Sequence, residues 1–227
     1  MSLEILYKDE YLIAINKPHG LLVHRSAIAK DATEFAVQSL RDQLNQKVYP
    51  THRLDRKTSG VLLFALNEEI NREMHDQFSK RLIHKKYKAI VRGYTEDEET
   101  IDYPLKKENG TLQEAVTKYR TIKRTELNIP LGRHETIRYS LVEVTPITGR
   151  MHQIRKHFAH ILHPIIGDRP YGCNKQNRFF KGRWNMDTMM LHADSLSFFH
   201  PVKNCQVSIS AGIQAEFQAV LTKLDLD

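Results

Sequence analysis

The sequence predicts an α+β fold, with a central mixed or antiparallel sheet flanked by helices. Apolar-rich runs at residues 3–8 and 11–17 are separated by a short polar turn and closed by Pro18, which is typical of a hairpin. A second hairpin is expected between residues 190–198 and 206–212. These strands are predicted to form hairpins and do not alternate regularly with helices along the chain, so an all-parallel sheet is disfavoured.

Four amphipathic helices are predicted from apolar residues that recur every three or four positions. They cover residues 31–46, 67–80, 148–163 and 214–224. The first three each begin near a side chain that can accept a hydrogen bond from the helix backbone. These candidate caps are Asp31 or Thr33, then Asn67, then Thr148.

Further strands are expected between the helices. Residues 61–66 are wholly apolar and predict a buried strand, and residues 138–146 also read as a strand. Residues 85–93 alternate, which points Tyr87 inward and gives the strand a basic outer face. The polar run before residue 61 is therefore expected to be a loop that leads into the core.

The remaining segments are expected to be surface structure. The charge run at residues 96–100 is interpreted as a solvated turn, and residues 106–134 as loops and short strands. The sequence contains no internal repeat, low-complexity tract or linker. We therefore expect a single domain over residues 1–227.

Composition bounds the class of protein. The 227 residues are 41% hydrophobic and 27% charged, which is typical of a globular chain and excludes a disordered acidic tail or a fibre. The net charge of +7 favours an anionic partner such as nucleic acid, although many basic enzymes carry as much. No apolar run is long enough to span a membrane, and charges interrupt the N-terminus, so we expect a soluble, cytoplasmic protein without a membrane partner.

Several kinds of cofactor and metal site are disfavoured. Neither G-x-G-x-x-G nor G-x-x-x-x-G-K-[ST] occurs, which disfavours Rossmann and P-loop enzymes. Cys173 and Cys205 stand alone and predict neither a disulfide framework nor a four-sulfur zinc site. Four histidines lie between residues 152 and 163, but their spacing matches no zinc motif, so we interpret them as helix-surface imidazoles.

The segment at residues 51–60 places one carboxylate, Asp55, among the cations Arg53, Arg56 and Lys57. An aspartate in such a loop is usually structural, because turns use Asp to hydrogen-bond their own backbone. The sharper hypothesis makes Asp55 a nucleophile or general base, held ionised by neighbouring cations, at the mouth of a groove that binds a polyanion. Composition alone leaves both interpretations open.

Three segments in this order resemble the sequence motifs of the RluA-type pseudouridine synthases. They are HRLDRKTSG at 52–60, KKYKAIVRG at 85–93 and TGRMHQIRKHFAHILHPIIGD at 148–168. With residues 190–201, the resemblance spans most of the chain. It implies that family's catalytic fold, with the active-site cleft on one face of the sheet. It also implies one catalytic domain over residues 1–227, without the additional N-terminal RNA-binding domain that several members of the family carry.

The resemblance also implies roles for individual residues. The aspartate of the first motif, which attacks the target nucleoside so that the uracil detaches, rotates and rejoins through carbon, matches Asp55. The tyrosine that lies against the flipped uracil matches Tyr87, and the arginine that pairs with the catalytic aspartate matches Arg155. Arg53 resembles the residue that fills the gap left by the extruded nucleotide. The family uses no cofactor and no metal.

Physical arguments agree with these roles but do not require them. Extruding a nucleotide costs a few kcal/mol, and the flipped base must then be held by stacking and edge contacts. Tyr87 can stack, but it can equally be a core tyrosine. Arg155 lies about 100° from Ile154 around its helix and can face a cleft, but it can also be a solvent-exposed arginine.

Two basic segments are further candidates for contact with RNA. One contains Lys80, Arg81, Lys85, Lys86 and Lys88, and the other is FFKGRW at residues 179–184. Aromatic residues interleaved with cations are typical of surfaces that bind single-stranded or splayed RNA. Each segment can also be a solvated face or a core edge.

Residues 23–26, 132–150 and 176–178 are similar to the branch of the family that modifies uridine 65 of tRNA. RNA is therefore the expected partner, with tRNA first and ribosomal RNA second. The oligomeric state stays open, with a monomer as our expectation. Two other classes remain: a nucleobase glycosidase, since a carboxylate and base flipping serve that chemistry as well, and a non-catalytic RNA-binding or ribosome-assembly module.

Overall fold

A computed structural model describes residues 2–25 and 33–227. The chain divides into two compact units. Unit 1 comprises Met1–Lys85 and His192–Ile213, and unit 2 comprises Lys86–Leu191 and Gln214–Asp227. Asp31, one candidate helix cap, and Ser26, in a segment similar to the tRNA branch, lie outside the described residues. The expectation of a single catalytic domain stays a prediction.

The strands alternate with the helices irregularly along the chain. In chain order the strands are β1 (Ile5–Lys8), β2 (Leu12–Lys17), β3 (Tyr49–Pro50), β4 (Ser59–Ala65), β5 (His84–Arg92), β6 (Glu98–Asp102), β7 (Leu105–Lys106), β8 (Leu112–Gln113), β9 (Val116–Leu127), β10 (Ile137–Pro146), β11 (Leu191–Phe199) and β12 (Gln206–Ser210). The helices are α1 (Ala36–Leu44), α2 (Glu68–Ser79), α3 (Gln153–His160), α4 (Asn174–Trp184) and α5 (Ala215–Lys223).

Unit 1 contains a mixed sheet. β1 pairs with β2, β2 with β4, β3 with β4, and β11 with β12, all antiparallel, whereas β4 and β11 are parallel. Both predicted hairpins are therefore present, and the α+β prediction with a mixed sheet is confirmed. At the first hairpin, Asp9 Oδ1 accepts hydrogen bonds from the backbone N–H groups of Tyr11 and Leu12, both at 2.8 Å, which is how Asp stabilises a tight turn.

The core of unit 1 lies between this sheet and α2. Every residue of β4 is buried, as its unbroken apolar run predicts. Ile70 and Met74 of α2 pack against alternate residues of β2 and β4. The predicted cap is confirmed, because Asn67 Oδ1 accepts a hydrogen bond from Ile70 N at 2.9 Å. At α1, by contrast, Phe35 occupies the cap position without a side-chain hydrogen bond, so the Thr33 cap is wrong.

Unit 2 contains an antiparallel sheet in which β5 pairs with β10, β10 with β9, and β9 with β6. β9 is a strand of 12 residues in a stretch where the sequence predicts loops and short strands, and β6 occupies most of the predicted turn at 96–100. The inward positions of β9 include Thr117, Tyr119 and Thr125, so its buried face is mostly polar and gives a weak hydropathy signal.

The helices of unit 2 differ from the predictions in two places. α3 begins at Gln153 and not after Thr148, and its cap position is held by His152 in a left-handed conformation (φ 56°). Thr148 is buried and donates its hydroxyl to Gln153 Oε1 at 2.6 Å, so it links the loop to the helix and does not cap it. Met151, which lies within the range predicted for that helix, precedes the observed helix and is exposed. The sequence does not predict α4, because strongly basic residues dilute its apolar pattern.

No helix in the described ranges is long and apolar enough to cross a membrane.

Candidate active site

The loop between β3 and β4 carries Asp55. The Asp55 carbonyl accepts a hydrogen bond from Thr58 N at 3.0 Å, and the next carbonyl, that of Arg56, accepts one from Gly20 N at 2.8 Å. The Asp55 residue itself is half-buried. The backbone at and after Asp55 is therefore held by specific hydrogen bonds, which fixes the origin of its side chain.

A buried lysine lies beneath this loop. Lys17, at the end of β2, is fully buried, and its ammonium donates to the carbonyl oxygens of Pro18 at 2.9 Å, Leu21 at 2.8 Å and Arg56 at 3.2 Å. These three acceptors match the three donors of an ammonium group. Burial lowers the pKa of Lys17 to about 7, and the nearby charge of Asp55 opposes that shift. Lys17 therefore joins the Asp55 loop to β2.

Sequence reasoning missed Lys17. The signal was present, since a lysine that ends a strand of otherwise apolar and buried character needs internal partners. The partners of Lys17 are backbone carbonyl groups. Because every residue has one, the sequence does not show which carbonyl groups surround the ammonium.

Arg53 and its neighbour His52 differ in exposure. His52 Nε2 accepts a hydrogen bond from Leu63 N at 3.1 Å, and its ring packs 5.0 Å from that of Phe78. Burial, and secondly the charge of Lys85, lower the pKa of His52 to about 3, so the imidazole is neutral near pH 7. Arg53 is exposed, and an exposed guanidinium beside Asp55 is accessible to a bound substrate.

The end of the loop is set by a close approach of two backbones. Gly60 has a φ of 105°, and a Cβ at this position would lie 2.1 Å from the carbonyl oxygen of Ala193 in β11. Beside it, Ser59 Oγ is hydrogen-bonded to His192 Nδ1 at 2.9 Å, and His192 Nε2 lies 3.3 Å from the carbonyl oxygen of Ala211. This packing requires glycine at residue 60 and fixes where β4 starts after the Asp55 loop.

In unit 2, Tyr87 lies on β5 opposite Val144 of β10 and is half-buried. The neighbouring Lys86 is exposed and donates to Glu143 at 3.2 Å. The predicted basic outer face is wrong at Ile90, which is fully buried, because the second half of β5 is covered on both sides. Tyr87 therefore stands where β5 changes from a partly exposed to a fully buried strand.

Arg155 is buried on α3 with a carboxylate partner. Its Nε donates to Asp168 Oδ2 at 2.8 Å and its Nη2 donates to Asp168 Oδ1 at 2.9 Å, in a bidentate ion pair. The guanidinium carbon lies 5.1 Å from the ring centroid of Tyr171. The alternative of a solvent-exposed helix arginine is wrong, because the arginine side chain is only 7% exposed. The implied pairing of Arg155 with Asp55, and its role in substrate binding, stay predictions.

Sequence reasoning also missed Asp168, although it is the last residue of the third motif. Asn177 of α4 fixes it, since Asn177 Nδ2 donates to the Asp168 carbonyl at 2.7 Å and Asn177 Oδ1 accepts from Gly167 N at 3.0 Å. Gly167 has a φ of 79°, and its missing side chain leaves room for the carbonyl of Thr188. The turn before Asp168 therefore aims the carboxylate at Arg155.

The histidines near α3 contact protein groups of unit 2. His157 is hydrogen-bonded to Thr117 Oγ1 and the Tyr103 carbonyl, His160 stacks on the Tyr103 ring, His163 is hydrogen-bonded to the Arg92 carbonyl, and His152 is hydrogen-bonded to the Tyr171 hydroxyl. His157 is fully buried, so its interpretation as a helix-surface imidazole is wrong, and burial lowers its pKa. Among residues 2–25 and 33–227, no group of three or more His, Cys, Asp or Glu side chains could hold a metal ion.

The two basic segments differ in character. In the first, Lys80 pairs with Asp76 at 2.7 Å, and burial lowers the pKa of Lys85. In the second, Phe180 is fully buried and makes an edge contact with Trp184, with ring centroids 4.8 Å apart, whereas Lys181 is exposed. The aromatic and cationic residues of FFKGRW thus form the inner and outer faces of α4. Contact of either segment with RNA stays a prediction.

Curated proteins similar to this chain cover nearly its whole length. The tRNA pseudouridine synthase C of Haemophilus influenzae is 47% identical, with 97% of each chain covered. The protein of the same name from Vibrio cholerae is 46% identical, and the match covers 97% of this chain and 95% of the relative.

Solved structures agree on the fold. Human RNA pseudouridylate synthase domain containing 4 has a TM-score of 0.74 at 24% identity, covering 99% of this chain and 94% of that one. Human RNA pseudouridylate synthase domain containing 1 has a TM-score of 0.73 at 22% identity, covering 100% and 96%. The family model described as RNA pseudouridylate synthase matches residues 11–160, a range that includes Asp55, Tyr87 and Arg155. The chain therefore belongs to the RNA pseudouridylate synthase family.

Proposed function

We propose that this protein acts in the cytoplasm and isomerises a uridine of tRNA, uridine 65, to pseudouridine, with Asp55 as the nucleophile. The choice of tRNA rests on the identity of 46–47%, over 97% of this chain, to proteins named tRNA pseudouridine synthase C. The net charge of +7 suits a polyanionic substrate.

The substrate and product nucleosides are isomers, so the reaction needs no second substrate. The bond between the sugar C1′ and the uracil N1 breaks, the uracil rotates, and a new bond forms between C1′ and C5. The hydrogen on C5 leaves as a proton, and N1 gains a proton. Asp55 supplies the carboxylate that attacks the nucleoside and is released again at the end, so no net group transfer occurs.

Three further residues are proposed to bind the substrate. Arg53, exposed beside Asp55, fills the space that the target nucleotide vacates. Tyr87 stacks against the flipped base, as amphipathic aromatic rings do in RNA-binding proteins. Arg155, whose guanidinium is oriented by Asp168, binds at the reacting end of the substrate.

The first test is tritium release from unmodified tRNA that carries tritium at C5 of uracil. The wild-type protein should release tritium into water, because the new carbon bond replaces that hydrogen. Asp55→Asn should release at least about 10³-fold less, since an amide is not a nucleophile of this kind. Asp42→Asn, at an exposed position on α1, is the matched control and should release tritium like the wild type.

Each other outcome excludes a part of the proposal. Free uracil among the products would indicate a glycosidase. Release from ribosomal RNA but not from tRNA would contradict the substrate, and undiminished release from tRNA with cytidine at position 65 would contradict the site. Binding of RNA without release from any RNA would favour a non-catalytic RNA-binding module.

A further inference from the structure

A cavity of about 400 Å³ lies in unit 2, beside α4 and the turn that holds Asp168. Its lining residues are Gly167, Arg169, Asn174, Asn177, Arg178, Phe180, Lys181, Met186 and Asp187. Phe180 and Met186 are buried and close the cavity on the protein side. The cavity has the size of a small-molecule site, and six of its nine lining residues are polar or charged.

The charges of the lining are predominantly positive. Arg169, Arg178 and Lys181 are exposed cations, and Asp187 is the one acid among the lining residues. Asp187 lies 3.9 Å from Arg169, and both side chains are more than half exposed, so this ion pair contributes little. Three cations facing one weakly paired acid favour an anion in the cavity.

The sequence of α4 supports the same conclusion. The helix, NKQNRFFKGRW, contains no acidic residue. Arg178 and Lys181 are three residues apart, so they lie on the same side of the helix, about 4.5 Å apart along its axis. An exposed helix face with cations and no compensating acids is unfavourable by itself, because like charges at this spacing repel each other.

Hydrogen bonds hold α4, which carries Arg178 and Lys181, in place. On the inner side of α4, Gln176 Oε1 accepts a hydrogen bond from the Tyr139 hydroxyl at 2.6 Å in the core. Asn177, which lines the cavity, also donates to the Asp168 carbonyl at 2.7 Å. Asp168 in turn holds Arg155. The cavity is therefore connected by direct hydrogen bonds to one of the proposed substrate-binding residues.

We infer that this cavity binds backbone phosphates of the substrate RNA, with Arg169, Arg178 and Lys181 as the phosphate ligands. The inference rests on the proposed function and extends it to a binding surface distant in sequence from Asp55. Phosphodiester groups repeat along an RNA strand, so they can meet cations that are spread over a helix face and a neighbouring loop, as these three are. Arginine also binds phosphate in a bidentate manner.

The test compares the binding of an unmodified tRNA transcript by the wild type and by Arg178→Ala/Lys181→Ala. We expect roughly tenfold weaker binding at moderate salt. The slope of log K against log salt should be less steep by roughly 0.7–0.9 for each phosphate that the variant no longer neutralises.

Lys175→Ala is the matched control, because Lys175 is exposed on the same helix but does not line the cavity. It should bind tRNA like the wild type. An equal loss of affinity in this control would show that the cavity is not the phosphate site, because general attraction between the basic protein and RNA would then explain the binding. An unchanged affinity and salt slope in the double variant would overturn the inference.

The binding assay is independent of catalysis, so the two proposals can fail separately. If the wild type makes pseudouridine while the double variant binds like the wild type, only the phosphate site is wrong. If the wild type makes no pseudouridine in tRNA, the proposed function is wrong, whatever the binding data give. A circular dichroism spectrum and melting temperature equal to those of the wild type would exclude misfolding of the double variant.

Discussion

At the residue scale, Arg155 and Asp168 form an ion pair whose side chains are 7% and 1% exposed. Burying such a pair contributes little net stability, but removing one partner leaves the other charge uncompensated in the interior. We predict that Asp168→Asn lowers the free energy of unfolding by about 3 kcal/mol. Chemical denaturation, monitored by circular dichroism, measures this difference.

Asp187→Asn is the control for that prediction, since Asp187 belongs to an exposed pair with an N to O distance of 3.9 Å. It should change the free energy of unfolding by less than about 0.5 kcal/mol. If both variants lowered the free energy of unfolding by similar amounts, the burial of the ion pair would not make the stability of the protein more dependent on its carboxylate.

His52 gives a prediction for the dependence of stability on pH. In the folded protein its pKa is about 3, whereas an unfolded histidine titrates near 6.5. Between these values the unfolded chain binds a proton that the folded chain does not, so this contribution to stability is lost as the pH falls from about 6.5 to 3. The slope of the free energy of unfolding against pH approaches about 1.4 kcal/mol per pH unit at its steepest, which is the value for one proton.

We therefore expect His52→Gln to unfold with a shallower pH dependence than the wild type over that window. The glutamine oxygen can still accept from Leu63 N, which limits other changes. Denaturant melts at several pH values between about 4 and 7 give the two slopes. Parallel slopes would mean that His52 is protonated in the folded protein.

At the element scale, the start of β4 depends on a glycine. Because Gly60 has a φ of 105° and a Cβ would meet the Ala193 backbone at 2.1 Å, no side-chain rotation relieves the contact. We predict that Gly60→Ala lowers the free energy of unfolding by about 3 kcal/mol or more, since the strand start and the adjacent loop must shift. Thermal unfolding of the purified variant measures this loss.

Gly182 on α4 is the matched comparison. It has no positive φ, and a Cβ added there would meet no atom within 4 Å, so Gly182→Ala should raise the free energy of unfolding by about 0.5–1 kcal/mol. The two alanine variants are therefore expected to shift stability in opposite directions. A shift in the same direction would contradict the steric argument at Gly60.

β9 shows why a long element escapes sequence-based prediction. Its buried Thr117 is hydrogen-bonded through Oγ1 to Gln153 Nε2 and to His157 Nδ1, both at 2.9 Å, so a polar residue is satisfied in the interior by partners on α3. Hydropathy treats such a position as exposed. Only the partner helix, 36 residues or more along the chain, makes the inward orientation favourable.

At the scale of the whole molecule, the net charge of +7 makes a prediction about binding. Neutralising RNA phosphates releases counterions, so the affinity for tRNA should fall as the salt concentration rises. A plot of log affinity against log salt concentration should be linear and steep. Filter binding between about 50 and 300 mM salt tests this. An affinity independent of salt would contradict a phosphate-dominated interface and, with it, the inference about the α4 cavity.

The sequence by itself determined the α+β class, both hairpins, the buried β4, the capped helix α2 and the family. These features depend on local patterns: alternation or periodicity of apolar residues, a cap side chain, and motifs in a fixed order. Asp55 stands out in the sequence because three cations surround it, before its motif gives it a proposed role.

The tertiary structure alone decided which polar residues are satisfied inside. Lys17 is buried because three carbonyl groups converge on its ammonium, Arg155 because Asp168 matches its guanidinium, and the inner face of β9 because α3 supplies hydrogen bonds. Hydropathy assigns each of these side chains to the surface. The free energy of burying a polar group depends on its hydrogen-bond and ion-pair partners, and the positions of these partners are fixed only when the chain is folded.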